Sequence, residues 1–353
     1  MQNPDIEELL REAVERRASD LHITVGRPPI LRINHELVDM DFEPLEAEAV
    51  RILIYSLLTH QHRDAFKDLF ELDFAYQHAK STRVRVNVYK QKGLIGAALR
   101  IIPSEIPSID ELCLPSIIAD FAMLPSGLVI ITGPSGCGKS TTIASMIDII
   151  NIRRSCHIVT IEDPIEFIHQ HKSSMITQRE VGNDTRSFGE ALKHVLRQNP
   201  DVILVGEIRD SESMGMAISA AETGHLVLTT LHTQDAPQTI DRIVDLFSPH
   251  QQQQVKNQLS GSLRAIVSQQ LLPKADGSRL IPALEIMVSI PGVRNLIRKG
   301  ESHMLYSIIQ TGKQNGMQTM NQCLRDMVNG NQITREIALT YSPNYDELRQ
   351  MIS

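Results

Sequence analysis

At 353 residues the chain has the length of roughly two domains, and its 42% hydrophobic residues are enough to build a sizeable core in each. A formal net charge of −7 excludes the overall basic character of a nucleic-acid binder, no run approaches the roughly 18 apolar residues of a membrane span, and residues 1–8 lack the basic and apolar regions of a signal peptide. The four cysteines, Cys113, Cys137, Cys156 and Cys323, contain no C-x-x-C pair, which argues against zinc and a disulfide framework and fits a reducing cytosol.

In chain order, Asn3-Pro4-Asp5 opens a predicted helix whose Ile6, Leu9, Leu10, Ala13 and Val14 recur at helical spacing. Residues 19–25 alternate as a strand, and a Gly26-Arg-Pro-Pro29 turn follows. Residues 30–33 and 37–40 read as further strands, linked through Asn34, His35 and Glu36. A helix opens near Pro44 with Leu45, Ala49, Ile52, Leu53 and Leu57 on its apolar side; a second spans about 61–70, before a strand-like 72–76. From 83 to 89 the alternation is strict: Val84, Val86 and Val88 face a core, while Arg83, Arg85, Asn87 and Tyr89 face out. Residues 94–102 continue the sheet and carry Arg100. Residues 1–101 are thus expected to form a compact α+β domain without a catalytic motif. A Pro- and Ser-punctuated linker at 102–110 would join it to a second domain, 111–353.

That second domain opens on a short apolar run, 128–131, the mark of a strand buried on both faces. It leads into Gly133-Pro-Ser135-Gly136-Cys137-Gly138-Lys139-Ser140, which satisfies G-x-x-x-x-G-K-[ST], and then into helical spacing at Ile143, Ile147 and Ile150. The glycines let backbone N–H groups turn inward around an anion, and the helix start adds partial positive charge. Lys139 would bridge the β- and γ-phosphates, and Ser140 would hold Mg²⁺ through its hydroxyl. Ser135 and Thr141 belong to the same nucleotide cradle, as does Cys137, read as a small filler rather than a nucleophile. A chance glycine-rich turn lacks the strand before and the helix after. The sequence predicts a nucleoside triphosphate site.

Strand and helix patterns alternate from there on, which means a parallel sheet with crossovers. Residues 157–161 end in Glu162-Asp163-Pro164-Ile165-Glu166, and 202–205 end in Gly206-Glu207-Ile208-Arg209-Asp210. Residues 226–230 lie between Gly224-His225 and Leu231-His232-Thr233. Ligands in such sheets sit at the carboxyl ends of the strands, where these polar clusters are expected to lie. Glu207 follows four apolar residues as a Walker B acid does; there a carboxylate can polarise the attacking water and hold the Mg²⁺ shell. A strand-terminal acid capping a helix would look the same in isolation. Glu162, Asp163 and Glu166 crowd three carboxylates into five residues, and such a cluster needs Mg²⁺ or an arginine. Glu166 is also placed to anchor Arg209 or an arginine of the next subunit. His225 and His232 project to opposite faces of a regular strand, and no third ligand makes them a metal site. A neutral imidazole there could sense the γ-phosphate or order a carboxylate. Arg83, Arg85 and Arg100 are either a solvated basic face or arginines offered to a phosphoryl-transfer site. The four glutamines at 251–254 fit a solvated helix face.

Taken together, 133–140, 161–166, 201–210 and 221–233 resemble the Walker A, Asp box, Walker B and His box, in that order, of the secretion ATPases of type II secretion and type IV pili. The resemblance covers almost the whole chain, since 18–23 and 82–87 also look like that family's N-terminal domain. Within the family, the short length and missing cysteine zinc motif look more like the pilus retraction ATPases. Val293-Arg-Asn-Leu-Ile-Arg298 is similar to that subfamily's Ala-Ile-Arg-Asn-Leu-Ile-Arg signature, and 306–312 and 316–319 agree. Pro291-Gly292 departs from it at the helix start. Residues 293–298 are a candidate for partner contact or for interdomain packing.

The resemblance implies an α/β fold: a RecA-like P-loop NTPase core preceded by a small α+β PAS-like N-terminal domain. It implies a homohexameric ring with ATP and Mg²⁺ as cofactors, the nucleotide lying between the two domains of a subunit. Lys139 and Ser140 would then bind phosphate and Mg²⁺, Glu207 would be the catalytic Walker B acid and a metal ligand, and Glu166 the Asp-box acid. Glu162 and His225 would line the nucleotide, His232 would act in catalysis, and Arg83, Arg85 and Arg100 would reach phosphate. The implied function is a cytoplasmic motor for type IV pilus retraction, docked at the inner membrane's cytoplasmic face. Its partners would be a platform protein of that membrane and a paralogous pilus ATPase. Pilus extension or type II secretion is the alternative. A nucleic-acid motor is disfavoured by the −7 charge, 4% aromatics and absence of Trp, and a non-hydrolysing regulatory ring by the intact Glu207.

Overall fold

The computed structural model describes residues 4–16, 18–33, 36–78, 82–102 and 105–352. Asn3 of the expected helix start, Asn34 and His35 of the strand link, and Pro103 and Ser104 of the linker lie outside them. The chain forms two compact units, Met1–Glu105 with Glu166–Ile168, and Ile106–Ile165 with His169–Ser353.

The first unit is a six-stranded antiparallel sheet in the order β3-β2-β1-β6-β5-β4. Its strands are β1 (Asp20–Ile23), β2 (Ile30–Ile33), β3 (Glu36–Asp39), β4 (Glu71–His78), β5 (Thr82–Gln91) and β6 (Leu94–Ile102). The helices α1 (Ile6–Glu15), α2 (Ala47–Leu57) and α3 (His60–Leu69) share a core with the sheet. Val84, Val86 and Val88 are fully buried, as period-2 alternation requires, and pack with Leu21, Leu31 and Leu99. In α2 the buried stripe is Val50, Leu53, Ile54 and Leu57, and Ile52 is exposed. At 100° per residue, positions 50, 53, 54 and 57 share a face that excludes 52, so the expectation for Ile52 is corrected.

The second unit is built on a seven-stranded sheet in the order β13-β12-β7-β11-β10-β8-β9. Its strands are β7 (Gly127–Thr132), β8 (His157–Glu162), β9 (Met175–Glu180), β10 (Val202–Glu207), β11 (Leu226–Leu231), β12 (Leu263–Pro273) and β13 (Leu280–Val288). Every pairing is parallel except β12 with β13. Helices α4 (Ile117–Ala122) and α5 (Lys139–Arg153) share one core with Val129, Ile131, Ile158 and Leu204. Alternate residues of the same strands, Leu128, Ile130, Val159 and Ile203, face a second core. That core is covered by α6 (Phe188–Val195), α7 (Ser211–Glu222), α8 (Ala236–Asp245), α9 (Pro249–Ser262), α10 (Pro291–Lys299) and α11 (Leu305–Thr311). A satellite core under α12 (Met320–Asn329), α13 (Arg335–Tyr341) and α14 (Tyr345–Met351) closes on Leu272, Ile281 and Ala283. Pro291 is the first residue of α10, where its missing N–H costs nothing and its fixed φ suits a helix. No helix among the described residues is long and apolar enough to cross a membrane.

Candidate functional site

β7 is buried along its whole length and delivers the chain to the loop at residues 133–138. Gly133 takes φ +142°, where any Cβ would collide with the Gln269 carbonyl of β12, and Gly138 takes φ +87° as the N-cap of α5. The loop is fastened from outside. Gln269 donates from Nε2 to the Cys137 carbonyl (2.7 Å) and accepts from the Thr142 hydroxyl at Oε1 (2.8 Å). The sequence reading missed Gln269 because it lies 132 residues from Cys137 and carries no local signal. Cys137 is buried, and burial pushes its thiol pKa up, so it packs and does not attack.

Lys139 is buried at the start of α5. Its Nζ donates to the Gly133 carbonyl (2.8 Å) and the Pro134 carbonyl (3.0 Å) and lies 3.4 Å from His232 Nδ1. On its other side His232 places Nε2 3.2 Å from Glu207 Oε1. A cation at Nδ1 and a carboxylate at Nε2 assign the neutral tautomer with its proton on Nε2. Glu207 ends β10 and His232 follows β11, next to β7, so three adjacent parallel strands deliver Glu207, His232 and the phosphate loop to one place. Arg209 completes the cluster with a two-pronged grip, Nε to Oε1 and Nη2 to Oε2, both 2.8 Å. That grip, opposed by burial and aided by His232, holds the Glu207 carboxyl below its usual pKa.

One expected residue lies at the other end of the sheet. His225 precedes β11, and its ring Nδ1 is 2.9 Å from the Ala220 carbonyl, while its own carbonyl accepts from Gly127 N at the start of β7. It therefore sits at the amino end of the sheet, a six-residue strand and roughly 20 Å from His232, and cannot line the nucleotide of its own subunit's loop. Glu162 ends β8 and is engaged by the Thr160 hydroxyl (2.7 Å) and Gln178 Nε2 (3.2 Å). Both prongs of the Arg209 guanidinium go to the strand-end carboxylate of Glu207. The segment ahead of Glu166 is tied by Glu180 of β9, whose Oε2 accepts from Ile165 N (3.2 Å).

In the first unit Arg85 and Arg100 stand opposite each other in register on the sheet face away from the core. Arg100 donates to Asp20 (3.0 Å), Arg85 lies 3.9 Å from Asp73, and Arg83 is half-buried.

Among the described residues no group of three or more His, Cys, Asp or Glu is arranged to hold a metal ion. Mg²⁺ in a phosphoryl-transfer site keeps several waters and shares its shell with substrate phosphates, so a hydroxyl and a carboxylate are the protein groups it needs. Ser140 and Thr141, in the first turn of α5 beside Lys139, are half-buried and present hydroxyls there. Ser135 is exposed on the loop. Beside this turn opens a cavity of about 270 Å³ lined by Leu112, Leu114, Gly138, Thr141, Leu271 and Arg279. Its mostly apolar walls, with Arg279, Glu111 and Gln269 as polar points, suit the base of a nucleotide whose phosphates lie on the loop.

A family model described as Type II/IV secretion system protein matches residues 97–339. The chain is 45% identical over 334 residues to the type IV pilus retraction ATPase PilT of Pseudomonas aeruginosa, covering 95% of this chain and 97% of that one. It is 42% identical over 348 residues to the type IV pilus ATPase PilU of the same organism, covering 99% and 91%. A crystal structure of the pilus retraction motor PilT with bound ADP superimposes with a TM-score of 0.91 at 45% identity, covering 98% of this chain and 99% of that one.

Proposed function

The chain belongs to the type II/IV secretion system protein family, and from that premise we propose that it is the ATP-hydrolysing motor of type IV pilus retraction. One observation carries the chemistry: Lys139, His232 and Glu207 form a continuous line of contacts at the ends of three neighbouring parallel strands. Such a line joins the group that grips phosphate to the group that orients water.

The work divides among the chain's own residues. Loop N–H groups and the α5 N-terminus hold the phosphates, and Lys139 exchanges its two loop carbonyls for phosphate oxygens. Ser140 and Glu207 are the residues that would hold Mg²⁺, which when bound neutralises charge building on the β- and γ-oxygens. Glu207 orients the attacking water once the exposed Arg209 releases it. His232, neutral, couples occupancy at Lys139 to the aim of Glu207. Arg83, Arg85 and Arg100 are the arginines assigned to phosphate in the assembled ring, with Glu166 as the Asp-box acid.

In this reading residues 1–101 are the PAS-like domain, 102–110 the linker and 111–353 the RecA-like domain with its C-terminal helices. The motor is a cytoplasmic homohexamer acting on a platform protein at the inner membrane, beside a paralogous pilus ATPase. Support comes from the 45% identity over nearly the full chain and from the site geometry. Glu207→Gln keeps size and shape but removes the carboxylate, so phosphate release should fall at least about a hundredfold while ATP binding persists. Turnover within about twofold of wild type would overturn the assignment of Glu207.

A further inference from the structure

β13 carries a carboxylate where a buried strand ordinarily carries an apolar residue. Glu285, 3% exposed, lies between buried Leu284 and Ile286. In register it stands beside Ser268 of β12, which stands beside Thr132, the last residue of β7 before the phosphate loop. Cross-strand neighbours share a face, so Thr132, Ser268 and Glu285 form one polar row across the buried sheet. The row looks onto the start of α8. The Thr132 hydroxyl is 2.7 Å from the Thr233 hydroxyl, which is 2.6 Å from the Thr239 hydroxyl. Glu285 Oε1 accepts from the N–H of Ala236, the first residue of α8, at 2.9 Å, and on either side of Glu285 the same strand pairs with Gln318, two residues before α12: Gln318 N donates to the Ile286 carbonyl (3.1 Å) and Gln318 Nε2 to the Leu284 carbonyl (2.8 Å). The carboxylate thus meets an unpaired donor at the positive end of α8.

The position of α8 gives this contact its meaning. Three residues, Thr233, Gln234 and the N-cap Asp235, separate His232 from Ala236. Whatever fixes the first turn of α8 fixes the backbone carrying His232, and His232 is what lies between Lys139 and Glu207. On the other side, Thr319 caps α12, and Tyr306 of α11 reaches from this region to Glu347 of α14 (2.6 Å). A purely structural core position is served at least as well by an apolar side chain, because burying a carboxyl is costly.

We propose that Glu285 is a positioning residue for hydrolysis: it holds the start of α8 to β13, aligns His232 on Glu207 and, because Gln318 fastens the approach to α12 on the same stretch of β13, ties the C-terminal helices to the phosphate site. The proposal rests on the ATPase reading above. Burial pushes the Glu285 carboxyl up to about 7, with the Ala236 N–H opposing. The ionisable groups facing it are Asp235 at the α8 start, itself raised by burial, and Tyr306 of α11, raised mainly by burial and its bond to Glu347. From β12 comes the uncharged Ser268. The ionised form makes the stronger, charge-assisted bond to the α8 start, so the aligned state gains population as pH rises through neutrality.

The test uses the full chain in wild-type, Glu285→Gln and Glu285→Ala forms. Phosphate release would be followed from about pH 6 to 8, with hydrogen exchange measured in parallel. Glu285→Ala should lower kcat about tenfold while KM for ATP stays within about threefold, the pattern of lost alignment without lost binding. Exchange should accelerate at 233–240. Glu285→Gln preserves the shape, offers a donor where one acceptor stood, and should lower kcat and remove the rise of rate with pH near neutrality. Should Glu285→Ala fail to fold, Glu285→Gln decides alone. Wild-type kcat and an unchanged pH profile in the variants, with wild type active, overturn this proposal alone. A wild-type chain that releases no phosphate overturns the ATPase reading and this proposal with it.

Discussion

The Glu207 carboxylate accepts from Arg209 at both oxygens and from His232 at one, and the two partners favour different states of the site. Arg209 is largely exposed and keeps the carboxylate ionised but occupied; His232 leads inward to Lys139. Since the first cause of the low Glu207 pKa is Arg209, Arg209→Ala should move the acid limb of the pH–rate profile upward. An unmoved limb would mean that Glu207 does not set it. Gln269 makes a second residue-scale prediction. Gln269→Ala strips buried partners from the Cys137 carbonyl and the Thr142 hydroxyl, so it should cost ~1–3 kcal/mol in a denaturant titration and weaken ATP binding. Unchanged stability and affinity would show that the loop holds its shape unaided. Glu285 links to stability with the opposite sign from an ordinary paired acid. Its folded-state pKa is raised, so the fold binds a proton that the unfolded chain has lost above about pH 4.5. Its contribution is full below that value and is lost as pH rises through about 7. The wild-type melting temperature should therefore decline over that window relative to Glu285→Gln, and parallel curves would contradict it.

At the scale of the element, the legible features were those encoded by near neighbours. The phosphate loop was readable because glycine, lysine and serine must occur at fixed spacing between a strand and a helix, and β7 and α5 lie where that spacing puts them. The β5 alternation was equally plain, since each valine must reach the core. The α2 stripe was misjudged at Ile52, where an apolar residue sits on the solvent side and composition alone misleads. His225 precedes β11 and His232 follows it, so chain order already sets the two at opposite ends of the strand, and grouping them as one box hid that. Gln269, Glu180 and Glu285 gave no sign, because each acts on a segment more than ten residues away through a partner that only the fold brings close.

Across the whole molecule, strand–helix alternation announced the parallel sheet, and the six parallel strands follow from the need for crossovers. The antiparallel β13 and the helices packed on it were not announced by that alternation, yet they bring Glu285 against the start of α8. A motor needs such a joint, since closure around nucleotide must be felt outside the site. If hydrolysis at Glu207 powers pilus retraction, a count of surface pili reads it out. Cells lacking the gene would be compared with cells complemented by the wild type or by Glu207→Gln. Excess pili that fail to retract, cured by the wild type and not by the variant, are the predicted result. Bald cells without the gene, or a cure by Glu207→Gln, would contradict it.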